Sequence, residues 1–457
     1  MTEHDRHKAE PAGCLSQGLP LFTDLYELTM LEAYLRESLT ERAVFSLSVR
    51  SLPPSRNFLI ACGIGPLIAD LEGLRFTESD LAYLDGLGLF GDRFLSWLQS
   101  FRFTGDLYAV PEGTTVFPNE PLLEVSAPLP EAQLIETLVL NQIHLQTVIA
   151  SKAVRVVLAA QGRPVIDFGA RRMHGIDAAV KGARAMFVAG VFATSDVFAG
   201  KCYGLPVSGT MAHSYIQAHT SEMEAFRAFA RLYPATVLLV DTYDTLDGVR
   251  HVIALARELG PDFKVQSIRL DSGDLGALAK GARRLLDEAG LQRVGIFASS
   301  GLEEDQIGAL LSSGAPIDAF GVGTHMGVAT DAPDLDMVYK LCEYAGEGRL
   351  KLSTGKPVLP GRKQVYRLSR GTTDVGDVIA GANETLEGRP LLEMMMREGR
   401  RTSDPLPLSE IRDYARSQIA RLPGHVIANA PAKPPYPVTV SPSLQNLHAL
   451  LSHQKGG

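Results

Sequence analysis

Residues Val265–Asp274 read VQSIRLDSGD. Ile268 and Leu270 alternate with Arg269, and the run then breaks into a corner of Asp271, Ser272, Gly273 and Asp274. That is the form of a buried strand delivering polar groups at its C-terminal end. The same form recurs on either side: PVIDFG at 164–169, LPVSGT at 205–210, TVLLVDT at 236–242, VGIFASS at 294–300 and DAFGVGT at 318–324. The runs are about 25 to 40 residues apart with helical segments between them, the rhythm of βα units around a parallel sheet. A barrel and a doubly wound sheet are the two standard closures, and an irregular α/β (TIM-like) barrel over residues 145–345 is the one expected here. Both closures gather functional groups at the C-terminal strand ends, where this chain places Asp167, His213, Asp241, Arg269, Asp271, Asp274 and Thr324.

Working outward, residues 1–18 are polar and aperiodic and read as a loose tail. Over 19–144 the pattern is mixed. Apolar residues at helical spacing from Thr23 to Arg36 predict a short amphipathic helix capped by Thr23 or Asp24. AVFSLSVRSL predicts a strand, a helix follows from Ile64, and TGDLYAVPEGTTVFPNEPLLEVSAPL predicts several short strands. Glu131–Ala160 is apolar almost all round, as a helix buried between layers would be. Strand and turn signals return over 346–457, with a polar helix near Leu408–Ile419 and the Pro-rich segment APAKPPYPVTVSPS. The N- and C-terminal segments are expected to share a second, α+β sandwich-like domain.

Composition narrows the function classes. The 457 residues carry 44 Lys plus Arg against 52 Asp plus Glu, a net charge of −8, so nucleic acid is not the expected partner. No segment offers a membrane span or a secretory leader, and a cytoplasmic protein is expected. Cys14, Cys62, Cys202 and Cys342 form no CxxC pair, so no zinc ribbon or redox motif is readable. HExxH, GxSxG and Walker GxxxxGK[ST] motifs are also absent, which argues against a zincin, an α/β-hydrolase and a P-loop ATPase.

The strand ends point to an anionic, hydroxyl-bearing ligand. Gly321 and Gly323 would let backbone N–H groups approach an oxyanion, with Thr324 adding a hydroxyl; the same glycines could merely form a tight turn. Arg269 can neutralise a phosphate or carboxylate, while Asp271 and Asp274 can accept from sugar hydroxyls or help hold a hydrated Mg²⁺. Asp271 or Ser272 could instead cap the following helix, and Asp241 to Asp244 in DTYD pose the same choice. Arg171 and Arg172 suit an anionic group beside a cleft or a solvated surface. His213 could act as a base, a metal ligand or a phosphoryl acceptor, but no second His at metal spacing accompanies it. Together these residues read as a sugar-phosphate site.

Several motifs, in order from about Leu21 to about Arg367, resemble those of nicotinate phosphoribosyltransferases. They are LFTDLYELTM, FPNEPLLEV, EAQLIETLVLNQIHLQT, DFGARR, GLPVSGTMAHSYI, DTYDT, IRLDSGDL, AFGVGTHM, VYKL and GRKQVYR. The resemblance implies transfer of phosphoribosyl from phosphoribosyl pyrophosphate to nicotinate, giving nicotinate mononucleotide and pyrophosphate for NAD salvage. It also implies Mg²⁺, coupling to ATP hydrolysis through a phosphohistidine, and a homodimer with shared active sites. By the same resemblance His213 would be the phosphorylated residue, and Phe168 and Arg171 would meet the pyridine ring and anionic groups. Arg269, Asp271 and Asp241 would hold the ribose phosphate, Gly321, Gly323 and Thr324 the 5′-phosphate, and Tyr26 would stack on the pyridine of a neighbouring subunit. Ser195 in ATSDV aligns with an Asp of the nicotinamide-using relatives. A neutral hydroxyl there favours a carboxylate over an amide, although Asp196 lies next door. Nicotinamide or quinolinate as acceptor, and a non-catalytic metabolite-binding relative, remain the alternatives. After VGIFAS this chain has Ser299, Ser300 and Gly301 where many relatives carry Asn or an early acid, and its acids come later, at Glu303 and Glu304.

Overall fold

The computed structural model describes residues 19–352 and 358–456, so the N-terminal tail over 1–18 lies outside the described residues. The described residues form two compact units. One is Lys152–Asp331, and the other combines the residues up to Ser151 with those from Ala332 onward.

Lys152–Asp331 is built on six parallel strands. In spatial order they are Ala193–Thr194, Val165–Asp167, Ala319–Val322, Gly295–Ala298, Ser267–Leu270 and Val237–Leu239. The last strand in sequence therefore pairs with the first, Phe320 opposite Val165 and Val322 opposite Asp167. That is the cyclic winding of an α/β barrel, left open between the Thr194 and Val237 edges. LPVSGT does not form the strand its pattern predicts; only Val207 bridges to Thr194. Its Pro206 has no N–H to give a ladder, and of Leu205, Pro206 and Val207 only Leu205 is buried.

The intervening helices cover the sheet with apolar stripes. Val249, Val252, Ile253 and Ala256 are buried along Thr245–Leu259, and Leu275, Ala279, Ala282 and Leu286 along Leu275–Glu288. Gly248 lets the first of these helices close on its strand, because a Cβ there would lie 2.1 Å from the Val240 carbonyl oxygen. The capping choices left open by the sequence are resolved. Asp244 accepts from Asp247 N–H and Asp274 from Ala277 N–H, so Asp241 and Asp271 are not the caps. Asp196 likewise caps Val197–Tyr203. The late acids also have structural partners. Glu303 closes a capping box with Gln306, and Glu304 lies 2.6 Å from the fully buried Lys152 ammonium and 2.8 Å from Arg155.

The other unit joins both ends of the chain in one sheet. Its seven strands run Glu347–Gly348, Met337–Tyr344, Arg42–Val49, Pro121–Pro128, Asp106–Ala109, Glu393–Arg397 and Arg400–Arg401. A four-stranded sheet holds Arg389–Pro390, Lys363–Arg370, Thr373–Gly381 and Val438–Val440. The predicted Glu131–Ala160 helix is two helices, Leu129–Leu134 and Glu136–Ala159.

The first helix of this unit, Leu25–Arg36, has Asp24 at its N-cap without a side-chain cap bond. The Asp24 carboxylate instead accepts from Thr137 Oγ1 at 3.0 Å, and the Thr23 hydroxyl donates to Glu27. Glu27 is fully buried, lies 2.6 Å from Thr137 Oγ1 and accepts from Thr137 N–H at 3.1 Å. Burial pushes its carboxyl from 4.5 to about 7, outweighing the threonine donors, and Glu136 adds to the rise. Between these two values the folded chain holds a proton that the unfolded chain releases, so this group's contribution to stability falls as pH rises through that window. Glu27→Gln keeps the shape and removes the titration. Its melting temperature is expected to decline less than that of the wild type between pH 5 and pH 8; parallel declines would contradict this assignment.

Candidate active site

Arg269 sits near the C-terminal end of Ser267–Leu270, the strand next to the Val237–Leu239 edge, and organises the groups around it. Its side chain is 12% exposed, and its Nη2 lies 3.1 Å from Asp271 Oδ2. Nε donates to Ser299 Oγ at 2.9 Å, and Nη1 donates to Thr210 Oγ1 at 2.8 Å and to the Met211 carbonyl at 3.3 Å. One guanidinium thus ties the end of its own strand to the loop after Gly295–Ala298 and to the loop that carries His213. Five donors in a rigid fork are what such a three-way junction requires.

Asp271 is the acidic counterpart. Burial alone would raise its carboxyl, but the Ser299 hydroxyl, Arg269 and His213 together hold it below the ordinary aspartate range. It is therefore a carboxylate at neutral pH. His213 Nε2 lies 3.6 Å from Asp271 Oδ2, and Nδ1 lies 3.1 Å from Thr242 Oγ1. Asp241, 8% exposed, shapes the corner from beneath: its Oδ2 accepts from Asp271 N–H at 3.0 Å and from Ser272 Oγ at 2.5 Å. Its Oδ1 is buried and has no hydrogen-bond partner among the described residues.

An aromatic wall stands beside this polar cluster. The Arg269 guanidinium carbon is 5.6 Å from the Phe168 ring centroid, and the Phe168 and Phe297 rings are 5.8 Å apart. Gly321 makes room for both rings, since a Cβ there would fall 2.6 Å from Phe168 Cε2 and 2.9 Å from Phe297 Cε1. A Cβ at Gly323 would likewise lie 3.1 Å from the Phe168 carbonyl oxygen, and Thr324 begins the turn Thr324–Gly327. The DFGARR corner is fixed by Asp167, whose Oδ1 accepts from Gly169 N–H at 2.7 Å and Oδ2 from Thr194 Oγ1 at 2.8 Å. Burial pushes this carboxyl up despite those donors.

The structure thus brings together His213, Asp241, Arg269, Asp271, Phe168 and Gly321. Arg171 lies in the exposed turn Ala170–Arg172, and Ser195 is exposed with its N–H donating to the Asp167 carbonyl at 2.9 Å. Tyr26 belongs to the other unit, on Leu25–Arg36, where it is 47% exposed. Four contributors escaped the sequence reading: Thr210, Thr242, Ser299 and Phe297. Only their position, at or just beyond a strand end, marks Thr242, Ser299 and Phe297, and Thr210 follows no strand at all. Among the described residues no three His, Cys, Asp or Glu side chains are grouped to hold a metal ion.

A curled parallel sheet whose strand ends gather an arginine, two aspartates, a histidine and an aromatic ring defines an α/β-barrel enzyme for an anionic substrate. Comparison with known proteins makes this specific. Residues 21–144 match the nicotinate phosphoribosyltransferase N-terminal domain, 164–377 the nicotinate phosphoribosyltransferase family, and 385–448 its C-terminal domain. A nicotinate phosphoribosyltransferase of Mycobacterium tuberculosis is 55% identical over 434 residues, covering 95% of this chain and 94% of the relative. One from Bacillus subtilis is 44% identical over 393 residues, covering 84% and 80%. The crystal structure of human nicotinic acid phosphoribosyltransferase superposes with a TM-score of 0.83 at 26% identity, over 94% of this chain and 99% of that one. The chain belongs to the nicotinate phosphoribosyltransferase family.

Proposed function

We propose that this enzyme of NAD salvage transfers phosphoribosyl from phosphoribosyl pyrophosphate to nicotinate, coupled to ATP hydrolysis, as a homodimer in the cytoplasm. The observation that carries the reading is the strand-end junction of Arg269, Asp271 and His213 beside Phe168, in a chain of this family. The pyridine nitrogen is already a nucleophile, so the protein needs no strong base. Its task is to align that nitrogen with the anomeric carbon, stabilise the departing pyrophosphate and exclude water.

Phe168 offers the pyridine a flat apolar face, and Arg171 a cation for anionic groups of substrate or product. Tyr26 of a second copy stacks on the ring, and Ser195 donates to its carboxylate. Asp196, the neighbouring candidate, is already engaged as a helix cap. Arg269, Asp271 and Asp241 serve the ribose phosphate and its hydroxyls, and Gly321, Gly323 and Thr324 the 5′-phosphate. Mg²⁺, held on the phosphates of the substrates, would supply charge neutralisation for the leaving group. Asp241 and Asp271 are the acidic side chains of the cluster that suit it.

His213 accepts the phosphoryl group from ATP, placing additional negative charge where the pyrophosphate and its metal bind. His213→Ala is expected to retain some transferase activity and to lose its stimulation by ATP, read as nicotinate mononucleotide formed with and without ATP. Undiminished stimulation in the variant would refute the role.

A further inference from the structure

The two ring nitrogens of His213 differ in their surroundings. Nδ1 is within hydrogen-bond reach of Thr242 Oγ1 at 3.1 Å, whereas Nε2, 3.6 Å from Asp271 Oδ2, is beyond it. The side chain is 39% exposed, so part of the imidazole is open to an incoming group. Thr242 is itself held firmly. The preceding Asp241 carboxylate is bonded to Asp271 N–H and Ser272 Oγ, and two residues later Asp244 caps Thr245–Leu259.

We propose that Thr242 is a positioning residue that keeps the His213 proton on Nδ1 and leaves Nε2 as the nitrogen that takes the phosphoryl group; the inference rests on the phosphohistidine reading above. The Nε2 lone pair attacks the γ-phosphorus of the nucleoside triphosphate. The Nε2–P bond forms, the bond from the γ-phosphorus to the bridging oxygen breaks, and the nucleoside diphosphate leaves with that electron pair. The ring becomes a phosphoimidazolium that retains its Nδ1 proton, and this proton donates to Thr242 Oγ1. A hydrogen bond from a charged donor is stronger than one from a neutral ring, so the hydroxyl matters most after transfer. The facing carboxylate of Asp271 does not bar the incoming anion outright, because Arg269 Nη2 at 3.1 Å offsets its charge.

The test uses the full chain as wild type, Thr242→Val and Thr242→Ser, each incubated with Mg²⁺ and ATP labelled in the γ-phosphate. Valine keeps the shape without the hydroxyl, and serine restores the hydroxyl. The Val variant is expected to acquire label about tenfold or more slowly than the wild type, and the Ser variant at nearly the wild-type rate. Phosphorus NMR should place the phosphate on Nε2. Wild-type labelling in the Val variant, equal loss in both variants, or phosphate on Nδ1 would overturn the inference. A wild type that takes up no label would instead overturn the phosphohistidine reading and this inference with it.

Discussion

Replacing Arg269 by Ala is expected to lower kcat/KM for phosphoribosyl transfer by about 10²–10³, the cost of removing one preorganised electrostatic group aimed at developing charge. The effect has two sources. The variant loses the cation itself, and it also releases what that cation holds. Asp271 would lose its Nη2 partner, Ser299 its Nε donor and the His213 loop both of its bonds to Nη1. An Arg269→Lys variant separates the two. A point charge cannot make the three-way junction, so lysine is expected to recover only a small part of the lost rate. Steady-state kinetics with phosphoribosyl pyrophosphate varied would check both variants. Full recovery by lysine would show that charge alone matters and that the junction does not.

Arg367→Leu is expected to destabilise the unit formed by the two chain ends by about 3–5 kcal/mol, the usual cost of removing one member of a buried ion pair. Arg367 and Asp377 are both fully buried. The guanidinium donates to Asp377 Oδ2 at 2.6 Å and Oδ1 at 3.0 Å, and to Thr115 O and Oγ1 at 2.7 and 2.8 Å. Its planar head also lies 5.4 Å from the Phe117 ring centroid and 5.9 Å from that of Tyr436. Leucine would satisfy the rings and leave Asp377 without a cation, facing the Tyr436 hydroxyl at 3.0 Å from its Oδ1 and the Glu120 carboxyl. Denaturant titration of the wild type, Arg367→Leu, Asp377→Leu and the double variant would measure the coupling. The double variant should be more stable than the sum of the single losses implies; strict additivity would mean that the pair contributes nothing as a pair.

The barrel strands were legible because each is an apolar run that ends abruptly in polar residues, and such a run has few other uses. Where that signal weakens, so does the reading. Ala193–Thr194 is two residues long and shows no period, while LPVSGT has the right residue types but lacks burial and a donor at Pro206. Capping was ambiguous in DTYD and DSGD because either aspartate fits by type. Backbone geometry selects the second in each case and leaves Asp241 and Asp271 for the site. Arg269 and Asp271 could be read because charged residues at strand ends are conspicuous, and His213, which opens the helix His213–Gln217, through the GTMAHS motif that carries it. Thr210, Thr242 and Ser299 could not, since ordinary hydroxyl residues become important only through partners 59, 29 and 30 positions away. Lys152 was equally hidden. Within a helix that reads as apolar all round, it meets its carboxylates only in the folded unit.

The most direct measurement is mass-resolved product analysis of the purified chain with phosphoribosyl pyrophosphate and Mg²⁺, offered nicotinate, nicotinamide or quinolinate, each with and without ATP. The account predicts nicotinate mononucleotide formed mainly from nicotinate, and faster when ATP is present. Nicotinamide mononucleotide as the main product, or product formed with loss of CO₂ from quinolinate alone, would contradict the assigned acceptor, and no product from any acceptor would contradict catalysis.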